Sequence, residues 1–291
     1  MMTEKDFIKR EPILKGWSDD RKFRGITEDG KSYLLRISSA DQYEKKKLEF
    51  EMMKQLEALK IPMCLPVAFG VCEEGVYSIQ SWIDGEDAEQ RIPELSRNKQ
   101  YSYGLQSGRI LQKIHSVPAP ATQEEWESRF NRKIDRKILN YSNCPIQFDG
   151  SQQMIDYIES NRHLLSGRPQ CYQHGDYHIG NMLLRQDELM IIDFNRYDFG
   201  DPWEEFNRIV WCAQVSPEFA RGMVDGYFQQ EPPEPFWRLL ALYIASNTLS
   251  SIYWALPFGK SEVEKMLNQA QDVLNWYSDM KCVIPEWYRR G

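Results

Sequence analysis

The stretch from Tyr172 to Glu205, YQHGDYHIGNMLLRQDELMIIDFNRYDFGDPWEE, constrains this chain more than any other. Two short apolar runs, MLL and LMII, flank the polar turn RQDE. Each run is too short for a helix and is bounded by turn residues, so the pair predicts a β-hairpin. The loop HGDYHIGN, with Asp176 and Asn181, precedes the hairpin, and Asp193 follows it. A hairpin there lets Asp176, Asn181 and Asp193 converge on one point. Two carboxylates and an amide oxygen around a small cavity suit Mg²⁺, which keeps several waters and borrows further oxygens from phosphates. His174 and His178, with Asp176 between them, raise a competing reading as a metallohydrolase site. A four-residue spacing joins two imidazoles only on a helix, and Gly175 and Gly180 disfavour a continuous helix there. His174 is then expected to bond the loop backbone. A solvated acidic loop is the plain alternative, and the neighbouring apolar runs argue against it.

An Asp five residues before a metal-binding Asn, with a second metal-binding Asp beyond, is the order of a kinase catalytic loop. The same residues carry a family resemblance. His174-Gly175-Asp176, Asn181, the segment Ile192-Asp193-Phe194, then Asp201-Pro202 and Glu205 resemble the signature of the aminoglycoside phosphotransferase family. That family is the antibiotic-kinase branch of the protein-kinase-like fold. The resemblance implies an α+β, bilobal fold with an antiparallel N-terminal sheet plus one helix and a mainly helical C-terminal lobe. It places a nucleotide lobe at 1–80, a hinge at 81–85, and a lobe holding the catalytic loop and acceptor pocket at 86–291. The implied activity moves the γ-phosphate of ATP or GTP to a hydroxyl of a small molecule, with Mg²⁺ as cofactor. An aminoglycoside is the family's default acceptor; macrolides, choline, homoserine and sugars are alternatives on the same scaffold.

The resemblance also assigns roles. Asp176 becomes the catalytic residue, and Asn181 and Asp193 the metal ligands. Arg36, in the strand YLLRIS, stands where kinases keep a phosphate-holding lysine, and Glu49 becomes its acidic partner, with Glu44 as competitor. This departure matters, because arginine is longer and planar and does not substitute freely for lysine. It also keeps open a nucleotide-binding pseudokinase without transfer activity. Ser18 lies in LKGWSDDRKFRG, the place of a phosphate-covering loop, and is the candidate phosphate contact; an ordinary hairpin turn is the alternative. Ser81 and Ile83 fall where the hinge offers backbone groups to a purine. Asp198, Glu204 and Glu205 are candidates to meet a cationic acceptor, while Asp201 and Glu205 could instead support the loop. Asn195 departs from the family's usual residue.

The rest of the sequence supplies context. Phe23–Thr27 and Ser32–Ile37 around Asp29-Gly30 predict a second hairpin, and Val67–Cys72 with Val76–Gln80 a third. A helix is expected from about Gln42 to Lys60 with Leu48, Met52, Leu56 and Leu59 on one stripe. Capping-box patterns at Thr122 and Ser261 and the pair Ser216-Pro217 predict helix starts. The basic run RFNRKIDRKI reads as a solvated helix face. A net charge of −7 disfavours nucleic acid and anionic membranes as partners and is compatible with a cationic substrate. Six cysteines without a CxxC pair read as reduced core thiols. The segment MMTEKDFIKREP has no apolar core of a leader, and residues 236–258 are interrupted by Arg238 and several polar side chains, which favours a buried helix over a membrane span. A cytoplasmic location is expected.

Overall fold

A computed structural model describes residues 2–14 and 20–289. Ser18 lies outside the described residues. By internal contacts the chain forms two units, one from residues 1–88 with 181–197 and one from residues 89–180 with 198–291.

The first unit is built on an antiparallel sheet. Its strands are β1 (Phe7–Ile13), β2 (Arg21–Thr27), β3 (Ser32–Ser38), β4 (Pro66–Cys72) and β5 (Gly75–Ser81), in the order β1-β2-β3-β5-β4. The expected hairpin around Asp29-Gly30 forms, with Gly30 at a φ of +78° that suits glycine. Leu35, Ile37, Ala68, Tyr77 and Ile79 bury one face of this sheet. Helix α1 (Tyr43–Ala58) carries the other expected element, but its buried stripe is not the expected one. Lys46, Glu49, Phe50, Met53 and Leu56 turn inward, whereas Leu48 is 56% exposed. The spacing is still helical. Two charged residues share the inner face because they find buried partners there, which apolar periodicity cannot register.

Downstream of β6 (Glu86–Asp87), the strands β8 (Met182–Arg185) and β9 (Glu188–Ile191) form the expected hairpin. Gln186 and Asp187, at φ of +51° and +65°, make its two-residue turn. Positive φ at both positions is the turn geometry whose twist matches paired strands.

The second unit is helical. After the short α2 (Ala88–Arg91) come α3 (Arg97–Ile114), α4 (Trp126–Ser142) and α5 (Ser151–Asn161). Two short paired strands follow, β7 (Cys171–Gln173) and β10 (Asp198–Gly200). Then come α6 (Ile209–Val215), α7 (Pro217–Phe228), α8 (Glu234–Ala255), α9 (Lys260–Trp276) and α10 (Glu286–Arg289). Helices α3 and α7 meet backbone to backbone. A Cβ added at Gly104, Gly108, Gly222 or Gly226 would lie 2.1–2.3 Å from a carbonyl oxygen of the facing helix, so only glycine fits. Ser216 caps α7 by accepting from Phe219 N at 3.0 Å, as expected. The expected boxes at Thr122 and Ser261 do not cap: α4 starts at Trp126 and α9 at Lys260, and neither receives a side-chain cap. The apolar stretch 234–258 is long and apolar enough by composition to cross a membrane, yet 67% of its apolar window is buried within the fold. All six cysteines are free thiols.

Candidate active site

In the first unit, the β8–β9 register sets Met182 opposite Ile191, and Ile192 N donates to Asn181 O at 3.1 Å. Asn181 and Asp193 therefore stand at the same, open end of the hairpin. Asp193 adopts a left-handed backbone (φ 68°, ψ 56°), a conformation Asp tolerates better than most residues. Arg36 on β3 donates to Asp193 Oδ1 at 2.8 Å. Its Nε and Nη2 donate to Asp20 Oδ2 at 3.2 and 3.0 Å. Asp20 also accepts from Ser38 Oγ at 2.7 Å and Lys46 Nζ at 2.9 Å. Burial alone would raise the Asp20 carboxyl, but Arg36, Ser38 and Lys46 outweigh it and hold it down at about 2.

Glu49 is not the ion-pair partner of Arg36, which corrects the expected pairing. Its Oε2 accepts from Lys46 Nζ at 3.0 Å, and Lys46 in turn reaches the same Asp20 oxygen as Arg36. A chain of alternating charges, Glu49–Lys46–Asp20–Arg36–Asp193, replaces the expected direct bridge. The competing partner Glu44 is exposed. Burial raises the Glu49 carboxyl, with Lys46 opposing. Lys22 is directly opposite Arg36 in the β2–β3 register and so shares its face. Burial lowers its ammonium pKa, with Asp193 opposing. Sequence reasoning passed over Asp20, Lys22 and Lys46; single charged residues in a charged loop, a strand start and a charged helix give no pattern distinct from a solvated surface.

The strand end at Ser81 is partly committed. Ser81 N donates to Leu65 O at 2.8 Å, and Ser81 Oγ accepts from Leu65 N at 2.8 Å. The backbone N–H of Ser81 thus serves the sheet. Ile83 is buried, and its backbone has no backbone partner among the described residues.

In the second unit, the loop around Asp176 is held from several sides. Gly175 has a φ of +82°, which favours glycine at that position. The buried Glu205 carboxylate accepts from Gly175 N at 3.1 and 3.2 Å and from Tyr177 N at 3.4 Å. His174 Nδ1 accepts from Asp176 N at 3.3 Å, the expected backbone role, and His178 Nδ1 accepts from Gly180 N at 3.1 Å. Tyr177 is fully buried and donates to Ser107 O at 2.8 Å, tying the loop to α3. Asp176 Oδ1 lies 3.5 Å from Arg208 Nε and 3.7 Å from His178 Nε2. With Nδ1 of both histidines accepting from the loop, the metallohydrolase alternative finds no support. Among the described residues no group of three His, Cys, Asp or Glu could hold a metal ion.

The remaining acidic candidates are internally engaged. Asp201 is fully buried, accepts from Arg168 through both oxygens at 2.7 and 2.9 Å, and accepts from Tyr243 Oη at 2.6 Å. Glu204 accepts from Lys133 at 3.1 Å and from Gln173 Nε2 at 3.2 Å. Asp198 is exposed and pairs with Arg129 at 3.1 Å. Asp201 and Glu205 are therefore supports of the loop and its surroundings.

Magnesium fits the donor set at the hairpin's open end. Asn181 and Asp193 offer hard oxygen donors, and the Asp193 side chain keeps one-third of its surface exposed. Two such ligands match an ion that completes its shell with water and phosphate oxygens.

A five-stranded antiparallel sheet with one helix, a helical second unit and a loop of the HGDxxxxN kind define a protein-kinase-like fold. The family model for the phosphotransferase enzyme family, APH, matches residues 9–240, and the chain belongs to that family. Among solved structures, the ADP-bound aminoglycoside phosphotransferase APH(2'')-Ib is similar over 92% of this chain and 94% of its own, at 17% identity and a TM-score of 0.64. Aminoglycoside phosphotransferase APH(4)-Ia aligns over 93% and 94% of the two chains at 16% identity and a TM-score of 0.67. The amicoumacin kinase hAmiN, solved with AMP-PNP, Ca²⁺ and Ami, aligns over 97% and 92% at 13% identity and a TM-score of 0.66. No curated protein matches significantly. At these identities the structural likeness shows the fold, and the family match makes the chain a kinase-type phosphotransferase relative for small molecules.

Proposed function

We propose that this protein transfers the γ-phosphate of ATP or GTP to a hydroxyl of a small molecule. The observation that carries the reading is the hairpin register that sets Asn181 beside Asp193 while Arg36 grips the Asp193 carboxylate. In this reading Asn181 and Asp193 hold Mg²⁺, which would neutralise charge on the phosphates. Arg36 faces the nucleotide's phosphates, with Asp20, Lys46 and Glu49 fixing its position. Ser18 remains the candidate phosphate contact of the covering loop. The backbone of Ile83, without a backbone partner among the described residues, would offer hydrogen bonds to a purine from a hinge at 81–85, Ser81 having spent its N–H on the sheet. Asp176, held by Glu205 and His174, accepts or orients the proton of the acceptor hydroxyl. Positioning and charge neutralisation supply most of the catalysis.

An aminoglycoside acceptor draws support from the family and from the neighbours' names. Of the acidic residues that would receive such a cation, Glu204 and Glu205 are already spent on Lys133 and on the loop backbone, and Asp198 is exposed and pairs with Arg129. A cytoplasmic location, where nucleoside triphosphates are abundant, belongs to the same proposal.

The test is magnesium-dependent transfer from radiolabelled ATP and GTP to a panel of hydroxyl acceptors, paired with calorimetry of nucleotide binding. Asp176→Asn is expected to lower transfer on the order of 10²–10⁴-fold and to leave nucleotide affinity near that of the parent. Asp193→Ala is expected to lose magnesium-dependent nucleotide binding together with turnover. Near-normal turnover of Asp176→Asn at neutral pH removes that residue from its role. Nucleotide binding without transfer to any acceptor would favour the pseudokinase.

A further inference from the structure

All three nitrogens of the Arg36 guanidinium donate to carboxylates. Nε and Nη2 go to Asp20 at 3.2 and 3.0 Å, and Nη1 goes to Asp193 at 2.8 Å. The side chain is also buried. Lys46 is committed in the same way, between Asp20 at 2.9 Å and Glu49 at 3.0 Å. In this relay three anions, Asp20, Glu49 and Asp193, face two cations, Arg36 and Lys46. A nucleotide that enters with its phosphates adds more negative charge than one Mg²⁺ offsets, so the site needs a further cation.

The neighbouring strand has one in place. Side chains alternate between the two faces along β2 and β3. Leu35 and Ile37 belong to the apolar face, which puts Arg36 and Ser38 on the other. Lys22 stands directly opposite Arg36, and Arg24 directly opposite Leu34, so both share that second face. Cβ atoms of such opposite pairs lie about 4.5–5.5 Å apart. Arg36 and Ser38 are buried, whereas Lys22, Arg24 and Leu34 are half-buried, so the β2 side of this face is the accessible one. Arg24 lies over the Trp82 ring at 5.1 Å, next to Ile83, which marks its end of the strip as the hinge end. Glu11, opposite Arg24 on β1, pairs with Lys9 at 2.7 Å. Lys22 is two residues, about 7 Å, along the strand from Arg24, beside the place where Arg36 meets Asp193.

We propose that Lys22 is the residue whose ammonium holds the nucleotide's phosphates, and that Arg36 is a positioning residue that sets the Asp193 carboxylate. A base at Trp82-Ile83 directs its phosphates along the strip past Lys22 towards Asp193. A lysine suits that task, being a compact charge with three donors on a flexible stem that follows its ligand. The clamped guanidinium could turn to a phosphate only by leaving two carboxylates without their partner. The role that resemblance gives to the β3 residue thus passes to its cross-strand neighbour.

The proposal rests on the phosphotransfer reading, and the experiment separates the two. Calorimetry with Mg-ATP and Mg-GTP is run on the parent, Lys22→Met, Lys22→Arg and Asp193→Ala, with urea unfolding of each free protein. Loss of binding in Asp193→Ala reports on the phosphotransfer reading alone. Lys22→Met should weaken the better-bound nucleotide roughly 10–100-fold, the scale of one charged hydrogen bond. Its urea midpoint without nucleotide should stay close to the parent's. Lys22→Arg should recover part of the affinity, which a purely structural role would not predict. Parent-like affinity of Lys22→Met, no recovery in Lys22→Arg, or a loss of affinity matched by a fall in the free protein's urea midpoint overturns the proposal. Those outcomes leave the phosphotransfer reading standing so long as the parent binds nucleotide through Asp193. If the parent binds neither nucleotide, that reading falls and the proposal falls with it.

Discussion

At the scale of single residues, the charge chain in the first unit decides how Arg36 can work. An arginine clamped by Asp20 and Asp193 has its fork directions set by those two carboxylates. Glu49 acts on it through Lys46 and Asp20, so coupling should follow contact and not family position. A stability cycle on Lys46→Met and Glu49→Gln should therefore show an interaction of about 0.5–3 kcal/mol. The cycle on Arg36→Met and Glu49→Gln should show a smaller one. Urea unfolding of the six proteins measures both, and a larger Arg36–Glu49 coupling would restore the direct bridge that the contacts replace. The charge pattern was legible only in part. Arg36 and Glu49 could be picked out by resemblance, but Asp20 and Lys46 sit among many charges in sequence and are distinguished only by being buried.

At the scale of elements, the loop that carries Asp176 depends on a residue some thirty positions away. Glu205 accepts N–H groups from Gly175 and Tyr177, flanking Asp176 on both sides. Glu205→Ala would strand these donors in a buried place, at a cost of roughly 1–3 kcal/mol for each group left without a partner. Turnover should fall with stability because the loop that presents Asp176 loses its anchor. Glu205→Gln keeps one acceptor oxygen and should recover part of both. Circular-dichroism melting and turnover on the same preparations check this; wild-type melting of Glu205→Ala would mean the loop is held by His174 and Tyr177 alone. The basic run of α4 also needed the fold to be understood. It reads as a solvated face, yet Lys133 pairs with the buried Glu204 at 3.1 Å, because a buried carboxylate draws in a cation that apolar patterning assigns to water.

At the scale of the whole molecule, the half-buried Lys137 makes stability depend on pH in a defined direction. Its ammonium titrates near 7 when folded, against an ordinary value of 10.5. Between these values the unfolded chain binds a proton that the folded chain does not, so stability from this group rises with pH across that window. Below pH 7 both states are protonated, and the folded state bears the full cost of the charge. Lys137→Met should therefore melt higher than the parent at pH 6, by about 2–4 °C for each kcal/mol recovered. The difference should shrink by pH 10. Calorimetry at the two pH values measures it, and an equal or lower melting point at pH 6 would show that Lys137 is solvated after all.

Sequence alone determined the parts set by local chemistry. The hairpins at Asp29-Gly30 and Gln186-Asp187 follow from turn residues between apolar runs, and the spacing from Asp176 to Asn181 to Asp193 lies on a single short stretch of chain. Family resemblance then sufficed for the fold. Tertiary structure decided which charges are buried and whom they meet: the relay from Glu49 through Lys46 and Asp20 to Arg36, and the capping of the Asp176 loop by Glu205. The physical reason is that an ion pair is fixed by distance and desolvation between residues far apart in sequence. A charged side chain carries no local sign of whether its partner will be water or another residue.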